Sequence, residues 1–246
     1  MELFGLTDHD QVSGLEEAEC AAREVGLGFV PGVEISVSWA SHTLHIVGLG
    51  IDRDNPALVE GLAAVRGTRR ERGERIAEEL GRLGIEGSLE GALAHAANPD
   101  VLSRTHFARF LVERNYARDV HSVFQQFLAR GKPGYVAQVW ASLEDAVQWI
   151  TGSGGVAVIA HPGRYKLSPV ELSALFGEFR TLGGRAIEVV TGSHAPHQFG
   201  RFARYARQFG FAASRGSDYH GPGESRMHFG TLPALPADLT PVWNLF

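Results

Sequence analysis

In four places this 246-residue sequence ends a short apolar run on a histidine or an acid. Leu3-Phe-Gly-Leu6 leads into Thr7-Asp8-His9. Phe29-Val30-Pro-Gly-Val leads into Glu34, with His45 in the apolar run that follows. Val156-Ala-Val-Ile-Ala160 leads into His161-Pro162, and Phe211-Ala-Ala-Ser leads to Gly216-Ser217-Asp218-Tyr-His220. Imidazole and carboxylate together suit Zn²⁺, Mn²⁺ or Fe²⁺. A carboxylate such as Glu34 or Asp218 can bridge two ions. Clustered cations bind a phosphate, lower the pKa of a bound water and stabilise an in-line displacement. A lone histidine at a strand end is more often a hydrogen-bonded structural residue. The weight lies in several such pieces, each placed after an apolar run.

The elements that must position these residues follow from periodicity. Leu3–Leu6 reads as a strand. A helix from about Val12 to Val25 places Leu15, Ala18, Ala21, Ala22 and Val25 on one face, and Gly26 and Gly28 close it. Strands follow over Phe29–Ser36 and Thr43–Gly50, the second apolar enough to be buried on both faces. The character then changes: Asn55–Leu83 reads as a charged helix, with shorter helices over 89–96, 105–113 and 120–128 and a turn at Lys132-Pro-Gly-Tyr135. Without a clear strand, residues 70–135 read as a helical insertion, flanked by residues 1–69 and 136–246 of an α/β domain. Strands at 155–160, 186–190 and 211–214 then alternate with helices at 143–150, 169–182 and 198–209. Alternation of this kind favours a parallel sheet or barrel. In such a barrel, the C-terminal strand ends carry the active site.

The bulk numbers exclude some classes. Hydrophobic residues make up 44% of the chain and the formal net charge is −5, so no basic excess announces a nucleic-acid partner. No stretch approaches the roughly 18 apolar residues of a membrane span. A single cysteine, Cys20, rules out an internal disulfide, and cytoplasmic residence is the default. No protein partner is evident.

The pieces resemble the PHP (polymerase and histidinol phosphatase) superfamily of metal-dependent phosphoesterases. The matching segments are Leu6-Thr-Asp-His-Asp10, Pro31-Gly-Val-Glu34, His45-Ile-Val-Gly, Ala160-His-Pro162 and Gly216-Ser-Asp-Tyr-His220. Ser103-Arg-Thr-His-Phe107, Gly131-Lys-Pro-Gly-Tyr135, His161-Pro-Gly-Arg-Tyr165, Pro222-Gly-Glu224 and Pro241-Val-Trp243 resemble one subgroup. That subgroup hydrolyses nucleoside 3′,5′-bisphosphates at the 3′-phosphate, and some members trim short RNA from the 5′ end. The resemblance implies a distorted (β/α)7 barrel with a helical cap and two or three divalent ions (Mn, Zn, Fe or Mg). It implies that Glu34 bridges two ions and that His45 and His161 join it on one. Asp218 shares the other with Glu34, and His9 and His220 hold the remaining one. Asp8 orients its neighbours from outside the ligand set. His161, Asp218 and His220 are the expected catalytic residues. The family pattern normally begins with a strand carrying His-x-His. No such segment precedes Leu3 here, so the barrel is expected to lack its first strand and two of the three sites some ligands.

On the substrate side, Arg104 can hold the non-scissile 5′-phosphate through its guanidinium fork. His106, Lys132, Tyr135, Arg164 and His194 are further candidates, with His197 the weaker partner of His194. The arginines between Arg66 and Arg75 invite an RNA-binding reading. Interleaved glutamates at i,i+4 spacing make the helix read instead as a solvated face. His42, His95, His121 and His228 read as structural or surface residues. The expected function is hydrolysis of a phosphomonoester on a nucleotide or short RNA 5′ end, with release of phosphate. The alternatives are a catalytically impaired metal- or nucleotide-binding domain, or another phosphomonoesterase acting on a substrate such as histidinol phosphate.

Overall fold

A computed structural model describes residues 2–96, 98–220, 227 and 230–246. The Pro222-Gly-Glu224 segment and His228 lie outside the described residues. The chain divides into two compact units: residues 1–62 with 141–246, and residues 63–140.

The first unit is a mixed α/β body around a seven-stranded sheet. Strand β1 (Leu3–Leu6) pairs in parallel with β2 (Gly28–Trp39) after helix α1 (Leu15–Glu24). Glu16 and Glu17 in the first turn of α1 and Arg23 in its last oppose the helix dipole. β2 then turns back into β3 (His42–Leu49), which is antiparallel to β2 and to β5 (Val156–Ile159). This departs from an all-parallel sheet, and the reason is local. Ala40 and Ser41 have φ of 43° and 67°. A two-residue turn with both residues left-handed joins only antiparallel strands, since parallel ones need a long crossover. Strand β4 (Ala141–Ser142) pairs with β2, and β5, β6 (Ala186–Thr191) and β7 (Ala212–Gly216) run parallel.

Helices α6 (Leu143–Gly152), α7 (Pro169–Thr181) and α8 (Pro196–Phe209) connect these strands. In α6, Leu143, Ala146, Val147 and Ile150 are buried at helical spacing, and the Ser142 hydroxyl accepts the Asp145 N–H at the N-terminus. Ser168 and Glu171 form a capping box on α7, with Pro169 at the first helical position. β5 and β6 are buried throughout. Phe176, Phe179, Phe202, Ile35, Ile46 and Ile187 anchor the core between sheet and helices.

The second unit is helical and has its own core. It comprises the part of α2 (Pro56–Gly81) from Ala63 onward, α3 (Ser88–Ala94), α4 (Arg104–Glu113) and α5 (Val120–Val123), which continues into a π-helical turn over Phe124–Leu128. Ile76, Leu80, Phe107, Leu111, Val123 and Leu128 are buried together. Among the described residues, no helix is long and apolar enough to cross a membrane.

Candidate metal centre

Three of the expected residues meet at one carboxylate. Glu34 lies in β2 and is buried. Its Oε1 is 2.7 Å from His45 Nδ1 and 2.9 Å from His161 Nε2, and those two nitrogens are 3.2 Å apart. On the other side, Oε2 is 3.9 Å from His9 Nδ1. Burial raises the Glu34 carboxyl, but the imidazoles of His9, His45 and His161 outweigh it and hold the carboxyl well below its ordinary range. Among the described residues, donor atoms of His9, Glu34 and His45 form one group that could hold an ion and those of Glu34, His161 and Asp218 a second, so Glu34 belongs to both. His220 is more exposed. Its Nδ1 lies 3.0 Å from the Asp218 carbonyl oxygen, and its ring centroid is 5.7 Å from that of His9.

The donors fit a divalent ion. Ligands about 2.1 Å from one ion stand roughly 3–3.5 Å apart, a spacing that the His45 and His161 nitrogens already have. Imidazole nitrogen with carboxylate oxygen is the donor chemistry of Zn²⁺, Mn²⁺ and Fe²⁺. His161 Nδ1 is buried and has no hydrogen-bond partner among the described residues. The polar contacts of the ring are therefore all on the Nε2 side, toward the cluster.

The backbone that presents these groups is unusual at three of the strand ends. Asp10, His161 and Asp218 are non-glycine residues at φ of 53°, 27° and 51°, which must be held by their surroundings. The buried Asp10 carboxylate accepts the backbone N–H and the hydroxyl of Ser36 at 2.7 and 3.0 Å. With the Asp10 N–H on the Glu34 carbonyl and the Glu34 N–H on the Asp8 carbonyl, this ties the His9 loop to β2. The Tyr165 hydroxyl accepts the His45 N–H and donates to the Ala160 carbonyl, both at 2.9 Å, and so joins β3 to the end of β5. Glu188 in β6 accepts the His161 N–H at 2.6 Å, and burial pushes its carboxyl up to about 8. Gly192 closes the β6–β7 end: an added Cβ would lie 2.1 Å from the Ser217 carbonyl oxygen. Asp10, Tyr165 and Glu188 had no assigned role in the sequence. The available signal was a single acid inside the apolar run Ala186-Ile-Glu-Val-Val190.

Arg164 and His194 stand beside this cluster in different ways. Arg164 is exposed and donates to Asp218 Oδ2 at 3.2 Å, an oxygen that also accepts from the Ser193 hydroxyl. His194 is buried. Its Nε2 accepts the Gly163 N–H at 2.8 Å, its Nδ1 faces the Val189 carbonyl, and its ring stacks on Phe202. Burial lowers its pKa to about 4. With both nitrogens engaged, His194 braces the His161-Pro-Gly-Arg164 turn from behind.

In the second unit, the Arg-rich helix is more than a solvated face. Arg69 and Arg72 are buried, with guanidiniums 4.6 and 5.9 Å from the Trp140 ring centroid. Arg72 Nε donates to the Val136 carbonyl. Burial, followed by the charge of Arg104, lowers the Arg72 guanidinium to about 10. Arg104 lies over Phe124 and Tyr135 and donates to the Leu128 carbonyl. His106 Nδ1 accepts the Ser103 N–H and caps its own helix. Lys132 is exposed, and Tyr135 is half-buried.

No protein-family model matches the chain. A 3′,5′-nucleoside bisphosphate phosphatase of Chromobacterium violaceum is 48% identical over 242 residues, 98% of this chain and 85% of that protein. The 5′-3′ exoribonuclease Rnm of Escherichia coli is 42% identical over 245 residues, 99% of this chain and 83% of that protein. Among solved structures, an amidohydrolase from Chromobacterium violaceum with bound sulfate and no metal superposes with a TM-score of 0.92. It has 48% identity over 99% of this chain and 85% of the other. These relatives, together with the shared fold and the convergent donor set, show that the chain is a hydrolase belonging to the PHP superfamily of metal-dependent phosphoesterases.

Proposed function

We propose that this chain removes the 3′-phosphate of nucleoside 3′,5′-bisphosphates and also trims short RNA from the 5′ end. The observation that carries the reading is the convergence of His45 Nδ1 and His161 Nε2 on Glu34 Oε1, in a chain 48% identical to a bisphosphate phosphatase. Two or three divalent ions, of Mn, Zn, Fe or Mg, would supply charge neutralisation at the phosphate and an acidified water. Glu34 would be the shared ligand, joined by His45 and His161 for one ion and by Asp218 for another, and His9 and His220 would complete the set.

The chain's own groups divide the remaining work. Asp218 and His220, beside Arg164, face the reacting phosphate together with His161. Arg164 is exposed enough to exchange Asp218 for a phosphate oxygen. Arg104, held between Phe124 and Tyr135, takes the non-scissile 5′-phosphate, with His106, Lys132 and Tyr135 lining that subsite. His194 contributes through the turn that it braces. The proposed cellular site is the cytoplasm.

The experiment is release of inorganic phosphate from adenosine 3′,5′-bisphosphate by this chain with Mn²⁺, with histidinol phosphate run in parallel. Release that exceeds a His161→Ala control and the parallel substrate is the expected result. No release above that control sinks the reading.

A further inference from the structure

We infer that Glu188 is a positioning residue: one buried carboxylate that sets the conformation of the two strand ends carrying His161 and Asp218. The inference rests on the metal reading above and adds a part that is not itself a ligand.

His161 sits at φ 27° and ψ 55°, which is unfavourable for a side chain with a Cβ. It also precedes Pro162, and a residue before proline is pushed toward extended backbone. Local preference therefore turns the peptide the other way, and something must hold it. The His161 N–H donates to Glu188 Oε2 at 2.6 Å, a short bond to a buried acceptor. Because the bond is to the backbone, it fixes the direction in which the ring leaves the chain. That direction brings Nε2 to Glu34.

The other oxygen of Glu188 faces β7. A Cβ added at Gly216 would lie 2.5 Å from Glu188 Oε1 and meet no other atom closer than 3.7 Å. Gly216 is not left-handed, so its lack of a side chain serves space, not backbone freedom. It makes room for this carboxylate two residues before Asp218. Thr191, at the end of β6, hydrogen-bonds to the same side chain. β6 lies between β5 and β7 in the sheet, and from there the Glu188 side chain reaches both neighbours at this end. Among the described residues, it is in neither donor group that could hold an ion.

The test is Mn²⁺ titration by calorimetry on the full chain, with thermal unfolding in chelator as the folding control. Glu188→Ala is expected to weaken Mn²⁺ binding by about 10- to 100-fold, the usual cost of losing an outer partner of a ligand. Glu188→Gln keeps an acceptor for the His161 N–H and should recover most of that loss, whereas a true ligand would not be rescued. Gly216→Ala should weaken binding by displacing the carboxylate, and the double variant should bind no more weakly than Glu188→Ala alone. Glu188→Ala binding like the parent, Gln as weak as Ala, or a Gly216→Ala penalty that persists in the Glu188→Ala background would each overturn the inference. Absence of Mn²⁺ binding by the parent chain would overturn the metal reading and this inference together. Parent binding with an unaffected Glu188→Ala overturns this inference alone.

Discussion

The two units bury charge in opposite ways. In the first, the imidazoles of His9, His45 and His161 gather around the carboxylate of Glu34. In the second, the guanidiniums of Arg69, Arg72 and Arg104 gather around Trp140, Tyr135 and Phe124. The first arrangement has the donor chemistry of a divalent-cation site. In the second, burial and then the charge of Arg104 lower the Arg72 guanidinium, and its charge-bearing face lies against the aromatic ring of Trp140. The supports differ as well. The donors of the first unit sit on strands and strand-end turns locked by backbone hydrogen bonds, which fixes direction. The arginines of the second sit on helices and reach their partners through long side chains, which leaves adjustment.

The comparison can be broken most directly at the metal centre. His161→Ala should lower phosphate release by at least about 100-fold while leaving the thermal midpoint of the second unit unchanged. Steady-state rates beside thermal unfolding check this. A smaller effect follows at the anion side. Arg104→Ala should raise KM for adenosine 3′,5′-bisphosphate by about 10- to 100-fold, the range for a charge-assisted hydrogen bond. A substrate without the 5′-phosphate should be nearly unaffected, and Arg104→Lys should rescue poorly because the fork is lost. Equal effects on both substrates would remove Arg104 from the subsite.

Acid should separate the units too. His194 is held neutral in the fold, near 4 against an ordinary 6.5. A depressed folded value means that its contribution is complete above about 6.5 and is lost as pH falls toward 4. The loss amounts to at most about 3 kcal/mol. A His194→Gln variant, followed by chemical denaturation between pH 7 and 4, should show a flatter decline than the parent. The smallest effect concerns Arg72. Arg72→Met removes one of several like charges and should stabilise the anion-free protein by about 1 kcal/mol. It should also reduce the stabilisation that added phosphate provides. Destabilisation of Arg72→Met in phosphate-free buffer would show that the cluster is already neutralised within the protein.

Much of the fold was legible because its signals are local. The apolar runs of β5 and β6, the spacing of Leu143, Ala146, Val147 and Ile150, and the Ser168–Glu171 box each specify an element within a few residues. The antiparallel course of β3 was less legible. Ala40-Ser41 carries no glycine or asparagine, although it adopts the left-handed turn that those residues usually mark. The burial of Arg69 and Arg72 was misread for a similar reason. Arginines interleaved with glutamates at i,i+4 read as a charged surface, and nothing nearby in sequence announces that Trp140, about 70 residues on, covers two of them.

The donor set shows the same division. The sequence alone determined which chemistry is present: histidines and acids after apolar runs, in the order of the PHP pattern. Tertiary structure decided which atoms meet. It brought ring nitrogens of His45 and His161, 116 positions apart, to 3.2 Å, directed Arg164 to Asp218 and His194 away into a brace, and tied the backbone around the cluster through Asp10, Tyr165 and Glu188. Side-chain type is a property of one residue and can be read from the chain. Direction depends on backbone angles, and at His161 and Asp218 these run against local preference. Contacts from elsewhere in the fold must hold them there, so only the folded chain could reveal them.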